Sequence, residues 1–271
     1  MNAEIFAPLP RDFGLWNPAM RGAFRKGMEA FAHGRPETAC PYQDKRKADG
    51  RLTWSRAFAA AWRDGWRHTQ HAVEQSPHRA VLLEIAWLVR QGVLSGLRDT
   101  YGTPESSLIA GTCLHASYLA LTFLRRWHPA FSATPCGGGG GLRGYGALTA
   151  RGGLLGHYWL EVTDPDGALW ILDATSDQFG WDPITLDLAS RLTDRYRKED
   201  PALSLAALEE IAAEIEGEQS AVRIPIQTMS ESPPKRHGAQ TCSLTPSPDC
   251  AAAVSPRGNP SGRPGSCGGT G

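Results

Sequence analysis

The sequence predicts an α+β fold in which a helix that begins at a cysteine packs on an antiparallel sheet. Two long stretches, residues 79–102 and 112–127, carry apolar residues at helical spacing. Two aromatic and aliphatic stretches, HYWLEV and ALWILDA, flank the turn sequence TDPDG and predict a β-hairpin. A two-helix segment precedes these elements. A tail rich in Pro, Gly and Ser follows them, and we expect it to be disordered.

The bulk composition is that of a soluble protein with a substantial core. The chain has 271 residues, of which 41% are hydrophobic and 21% are charged. No uninterrupted apolar run reaches the ~20 residues of a membrane span, and the first residues lack the pattern of a signal peptide. We therefore expect a cytoplasmic protein with no membrane partner.

The formal net charge is zero, but residues 1–70 carry +5 and residues 71–271 carry −5. The positive charge of residues 1–70 favours an anionic partner, although ordinary variation between segments explains this charge equally well.

Three segments are expected along the chain. Residues 17–70 form a small module of two helices, the first of which ends at Gly34, a natural C-cap. Residues 78–227 form the larger domain, after a boundary near the sequence QSPH. Residues 228–271 form the disordered tail, because they contain almost no large apolar side chains to offset the entropy of ordering them.

Within the larger domain, three further elements follow from local composition. The glycine-dense residues 135–156 predict a long flexible loop with at most one short strand. Residues 183–198 and residues 203–218 predict two additional helices.

The cysteines point to one candidate nucleophile rather than to a metal or a disulfide framework. They show no CxxC pair and no zinc-finger spacing, at positions Cys40, Cys113, Cys136, Cys242, Cys250 and Cys267. Cys113 differs from the others because it opens a predicted helix, where free N–H groups and the helix dipole favour a thiolate. Cys136 precedes five glycines and is expected to be incidental.

The predicted hairpin supplies a histidine and an aspartate. With Val162 opposite Ala168 across a five-residue loop, one side of the hairpin is apolar and faces the core. His157 then lies directly opposite Asp173 on the other side. A shift of one residue would place large apolar groups opposite charged ones, so we do not expect it. A thiolate, an imidazole that moves the proton and a carboxylate that orients the imidazole are the groups that cysteine catalysis requires.

This order of elements resembles the papain-like, transglutaminase-like cysteine superfamily, and in particular its bacterial and phage branch. The resemblance covers residues 78–195 and rests on the cysteine at a helix start, on GHYWLEV and on WILDATSDQFG. It implies a papain-like core with Cys113 as nucleophile, His157 as general base and acid, and Asp173 as the orienting group. The implied chemistry is hydrolysis of a protein or peptide amide, or acyl transfer to an amine. Both run through a thioester and need no metal or organic cofactor.

Several neighbouring residues are secondary candidates. Gln178, Asp177 and Trp159 are candidate substrate-binding residues in the same cleft. His115 is two residues from the cysteine and points elsewhere on the helix, so it is either structural or substrate-facing. Glu161 lies on the His157 side of the hairpin and is either a solvated strand residue or a substrate contact.

Residues 20–70 resemble the small ribosome modulation factor family. The matching features are a short helix with Gly27 and Ala30, the sequence CPY at residues 40–42, and two tryptophans four residues apart around Gly65. The resemblance implies contact with the ribosome or ribosomal RNA. Two hypotheses therefore stand: a cysteine enzyme carrying a small front module, or an RNA-associated binding protein whose papain-like domain is an inert scaffold.

Overall fold

The computed structural model confirms the α+β class. It describes residues 7–43, 45–51, 53–102, 109–139 and 144–221, with side chains up to residue 215. The predicted tail, residues 228–271, lies outside this part of the chain. The helices are α1 Pro18–Ala32, α2 Trp54–Glu74, α3 Pro77–Tyr101, α4 Cys113–Trp127 and α5 Pro201–Ala221. The strands are β1 Ser132–Gly138, β2 Gly146–Leu148, β3 Leu154–Leu155, β4 His157–Thr163, β5 Leu169–Asp173, β6 Thr185–Leu188 and β7 Tyr196–Arg197.

The two predicted front helices are present as α1 and α2, and they touch backbone to backbone at two glycines. A Cβ atom added at Gly27 would lie 1.9 Å from the carbonyl oxygen of Trp62. A Cβ atom added at Gly65 would lie 2.1 Å from the carbonyl oxygen of Phe24. No side chain fits at either position, so glycine permits the close helix packing.

The front helices also contact the larger part of the chain. Phe31 of α1 lies in the main hydrophobic core, and the guanidinium of Arg191 sits 4.0 Å from the centre of its ring. Arg191 also donates a hydrogen bond to the Phe31 carbonyl oxygen. All five helices belong to one compact unit. The proposed domain boundary falls in the short connection between Glu74 and Pro77, and the separability of the front module stays a prediction.

Helix α3 carries much of the core. It begins after Ser76, whose side chain accepts a hydrogen bond from the backbone of Arg79, and it ends at Gly102 in the left-handed conformation, as predicted. Its 25 residues reach a mean hydropathy of 1.4 over an 18-residue window, so length and composition alone would let it cross a membrane. The core helix of a soluble protein meets the same test, and Leu82 and Val89 of α3 lie in the main core.

The main sheet has the strand order β1-β4-β5-β6 with every neighbour antiparallel, and β3-β2-β7 form a smaller sheet. On one face of the main sheet, Leu160 and Leu172 belong to the main core, which α4 also lines. On the other face, Trp159, Ile171 and Tyr196 belong to a second core. Because both faces are buried, His157 at the start of β4 and Asp173 at the end of β5 are shielded from water.

The predicted hairpin is present, but its register differs from the prediction by two positions. Thr163 pairs with Leu169, and Leu160 pairs with Leu172, so His157 and Asp173 are diagonal neighbours on one face instead of direct partners. The loop keeps five residues but moves from 163–167 to 164–168, so Thr163 joins β4 and Ala168 leaves the strand. The Asp164 carboxylate holds this loop, because it accepts hydrogen bonds from the backbone of residues 166 and 168 and from the indole of residue 170.

The predicted helix over residues 183–198 is wrong. This segment forms β6, a short 3-10 turn at Ala189–Arg191, and β7. Leu186 and Leu188 enter the main core from a strand paired with β5. Pairing with the sheet edge therefore outweighs the helical spacing of the apolar residues. The helix predicted over residues 203–218 is confirmed as part of α5.

The prediction of a long loop over residues 135–156 is wrong in the part that the structure describes. Residues 135–138 complete β1, and β2 and β3 follow later in the same segment. Residues 140–143 lie outside the described residues. A Cβ atom at Gly137 would lie 2.4 Å from the carbonyl oxygen of His157, and one at Gly138 would lie 2.3 Å from the Tyr145 side chain. These two glycines therefore let neighbouring chain segments come close to β1, and they do not mark a flexible loop.

Candidate active site

Cys113 is the first residue of α4 and is 8% exposed. The preceding Gly111 has φ +86, a left-handed conformation that a side chain would strain. Thr112 follows, and its hydroxyl donates to the carbonyl oxygen of Ile109. The turn therefore delivers the thiol to the helix N-terminus, where backbone N–H groups lack helical partners and the dipole favours an anion.

His157 is the first residue of β4, and its side chain is fully buried. Its ring packs between Trp159, with ring centres 6.0 Å apart, and Phe179, with ring centres 4.5 Å apart. The Nε2 atom lies 2.7 Å from Oδ2 of Asp173. Since an ionised carboxylate only accepts hydrogen bonds, Nε2 carries a hydrogen and Nδ1 is the nitrogen left for proton exchange.

Asp173 is the last residue of β5, and its buried carboxylate is fully hydrogen-bonded. The Oδ2 atom accepts from His157 and, at 2.9 Å, from the hydroxyl of Tyr196. The Oδ1 atom accepts from the backbone N–H of Thr175 at 2.9 Å and from its hydroxyl at 3.2 Å. Four donors therefore compensate the cost of burying this charge and fix its orientation.

The electrostatics favour a charged His157–Asp173 pair. Burial alone would lower the pKa of His157, but the Asp173 carboxylate and the nearby Cys113 thiol outweigh it and raise that pKa to about 9. Burial alone would raise the pKa of Asp173, but His157, Thr175 and Tyr196 outweigh it and lower that pKa. The ring therefore holds its proton at neutral pH beside a thiol.

The Cys113 thiol lies in a closed part of the fold, and two larger pockets are close to it in the structure. Cys113 and Asp173 line a small pocket that has no room for a water molecule. A pocket of about 480 Å³ reaches Gln178, and another of about 840 Å³ reaches Gly111 and Thr112. Open space therefore reaches the turn before α4 on one side and Gln178 on the other.

The secondary candidates divide into those that touch the site and those that support it. Gln178 touches it, since its amide nitrogen lies 3.5 Å from His157 Nδ1. Trp159 is buried behind the His157 ring, where it packs. Both carboxylate oxygens of Asp177 accept from Arg90 of α3, at 3.0 and 2.6 Å. This ion pair anchors the 3-10 turn that carries Gln178.

The remaining predicted residues lie outside the His157–Asp173 pair. His115 faces the larger pocket, and its Nδ1 atom is buried with no hydrogen-bond partner in the described part of the chain. Glu161 accepts two hydrogen bonds from Lys198. Cys136 packs in the second core, where burial, with Glu161 next, raises the pKa of its thiol to about 12.

Three residues that support the site have no clear signal in the sequence. Tyr196 lies inside the segment wrongly predicted as a helix, and Thr175 is distinguished only by its place after Asp173. Arg90 is recognisable only as a charged residue inside the apolar helix α3. It donates to Asp177 and to two backbone carbonyl oxygens, so it ties α3 to the segment after β5.

The described residues contain no group of three or more His, Cys, Asp or Glu side chains placed to hold a metal ion. Comparison with known proteins adds no assignment: no family model, no curated protein and no solved structure matches this chain.

Proposed function

We propose that this protein is a thiol-dependent amide hydrolase or acyltransferase. Cys113 acts as nucleophile, His157 as general base and acid, and Asp173 as the group that orients the imidazole. One observation carries the proposal: a fully buried imidazole is bound through Nε2 to a carboxylate at 2.7 Å, which leaves Nδ1 for a thiol at a helix N-terminus. Cysteine catalysis needs these three groups in this order.

The reaction runs through a thioester. The Cys113 sulfur attacks the carbonyl carbon of the amide, and N–H groups of the first turn of α4 support the negative oxygen that forms. The C–N bond then breaks as His157 Nδ1 gives its proton to the leaving amine, and the acyl group stays on sulfur. Water or a second amine attacks the thioester, passes its proton to Nδ1 and releases the thiolate. Water completes hydrolysis, and an amine completes transfer.

The arrangement of α4 against the antiparallel β4–β5 pair supports a papain-like, transglutaminase-like core for residues 78–195. A protein or peptide amide is the substrate class that this chemistry favours, and no metal or organic cofactor takes part in the steps above. We also propose a cytoplasmic location, as the sequence leads us to expect.

An activated ester tests the proposal directly. We expect p-nitrophenyl acetate to acetylate Cys113, because acyl transfer to the thiol needs no particular leaving amine. Mass spectrometry should locate the acetyl group on that residue, and hydroxylamine should remove it. Cys113→Ala should lose the adduct, whereas Cys40→Ala, which changes a half-buried thiol of the front segment, should keep it. Equal acetylation of all the cysteines would contradict the proposal.

A second candidate function, RNA binding by the front segment, rests on one exposed surface. The loop over residues 45–51 presents the exposed cations Lys45, Arg46 and Lys47, together with Arg51, which pairs with Asp49 at 2.8 Å. Beside it, Trp54 at the start of α2 is 76% exposed. Cations for phosphates next to a free aromatic ring for base stacking suit a single-stranded nucleic acid.

Titration with a single-stranded RNA oligonucleotide at increasing salt tests this surface. We expect Trp54→Ala to weaken binding about tenfold or more, because stacking is worth about 1–3 kcal/mol per base. Lys47→Glu should weaken binding and reduce its dependence on salt. Trp127→Ala is the matched control, since this tryptophan of α4 is 56% exposed and lies outside the loop. Absence of binding at low salt would exclude this function.

A further inference from the structure

Gln178 connects parts of the site that are far apart in sequence. It lies in the 3-10 turn Ser176–Phe179, directly after β5. Its amide nitrogen donates to the carbonyl oxygen of Thr175 at 2.9 Å and lies 3.1 Å from that residue's hydroxyl. Its amide oxygen accepts from the backbone N–H of Gly111 at 3.4 Å, two residues before Cys113.

The direction of this amide is fixed by its partners. A carbonyl oxygen only accepts, so the contact with Thr175 requires the NH₂ group of Gln178 on that side. The same nitrogen is the atom 3.5 Å from His157 Nδ1. Thr175 also donates to Asp173. A continuous chain of hydrogen bonds therefore runs from the Asp173 carboxylate to the segment that delivers the nucleophile.

We propose that Gln178 is a positioning residue that sets the separation between the Cys113 thiol and the His157 ring. This inference rests on the proposed function and deepens it. The Gly111 segment and the end of β5 belong to different elements, and the side-chain amide of Gln178 joins them. Proton exchange between sulfur and nitrogen is sensitive to distance, and a displacement of about 1 Å can cost on the order of 100-fold in rate.

Gln178 acts by position and not by charge. The titratable groups around the His157 ring are Cys113 from α4 and Asp173 from β5, with Tyr196 from β7 bound to the same carboxylate. Gln178 is uncharged, and His157 stays bound to Asp173 without it. Loss of the amide should therefore loosen the contact between thiol and imidazole and leave the imidazole–carboxylate pair in place.

The test is the rate of iodoacetamide labelling at Cys113 against pH in Gln178→Met, which keeps the length of the side chain and removes its hydrogen bonds. We expect labelling near pH 6.5 to slow about tenfold, because a thiol displaced from the imidazole loses the positive charge that favours its reactive form. Gln70→Met is the matched control, because Gln70 donates to Glu74 on the surface of α2. It should leave the curve unchanged.

The outcomes separate this inference from the proposed function. If the parent labels rapidly, His157→Ala abolishes that reaction and Gln178→Met matches the parent, the positioning role is overturned and the enzyme proposal stands. If Gln178→Met lowers Tm but keeps the parental labelling curve, Gln178 is only structural and the inference is overturned. If His157→Ala leaves the parental curve unchanged, the enzyme proposal fails first.

Discussion

Iodoacetamide should label Cys113 rapidly near neutral pH, and His157→Ala should abolish that rapid reaction. Burial opposes a charged ring, but the Asp173 carboxylate and the Cys113 thiol raise the pKa of His157 to about 9. The imidazole therefore keeps its proton at neutral pH, and under the proposed function it compensates the negative charge of the nucleophile. In His157→Ala that compensation is lost, and because an ordinary free thiol is only about 1% ionised at pH 6.5, labelling at that pH should slow about 100-fold.

Three further variants complete the comparison of iodoacetamide labelling between the parent and His157→Ala. Cys113→Ala identifies the labelled residue, and its fold should persist because a small side chain is shortened by one atom. Asp173→Asn should affect labelling less than His157→Ala but still reduce turnover, because the imidazole loses its orienting carboxylate. His33→Ala, at an exposed histidine of the front segment, should behave as the parent. Identical curves for parent and His157→Ala, with midpoints above pH 8, would contradict the enzyme proposal.

Gly65→Ala should destabilise the protein by about 3 kcal/mol, the upper part of the range for overpacking a core. The added methyl carbon would lie 2.1 Å from the carbonyl oxygen of Phe24, far inside van der Waals contact. The contacting atom is backbone, so the two helices must move apart, and the buried Trp62 of α2, whose carbonyl oxygen approaches Gly27 of α1, must repack. In urea denaturation, the loss of stability should appear as a lower midpoint concentration of urea, with an unchanged dependence of the unfolding free energy on urea concentration.

The matched control for this prediction lies on the other front helix. A Cβ atom added at Gly22 meets nothing within 4 Å. Gly22→Ala should therefore stabilise α1 by about 0.5–1 kcal/mol through helix propensity alone. If Gly65→Ala matched Gly22→Ala, the close approach of α1 and α2 at Gly65 would be excluded.

Elements with a strong local signal were predictable, and elements made by distant partners were not. The pattern of α3 repeats over seven turns and stops at Gly102, so sequence alone locates it. In residues 183–198, Ile184, Leu188 and Leu192 have helical spacing, but Ile184, Leu186 and Leu188 alternate as in a strand. The strand pattern prevails because β6 pairs with the edge of β5, which provides hydrogen-bond partners for the backbone N–H and C=O groups of β6.

The chain's own residues determined which groups carry the proposed chemistry and on which side of the hairpin they lie. Strand side chains alternate with a period of two, so a register error of two positions still places His157 and Asp173 on one face. Only the tertiary structure decided two contacts of the site. The Tyr196 hydroxyl donates to the Asp173 carboxylate, and the Gln178 amide lies between the His157 ring and the backbone N–H of Gly111. These contacts join residues up to 67 positions apart, and no local pattern encodes a distance set by the packing of whole elements.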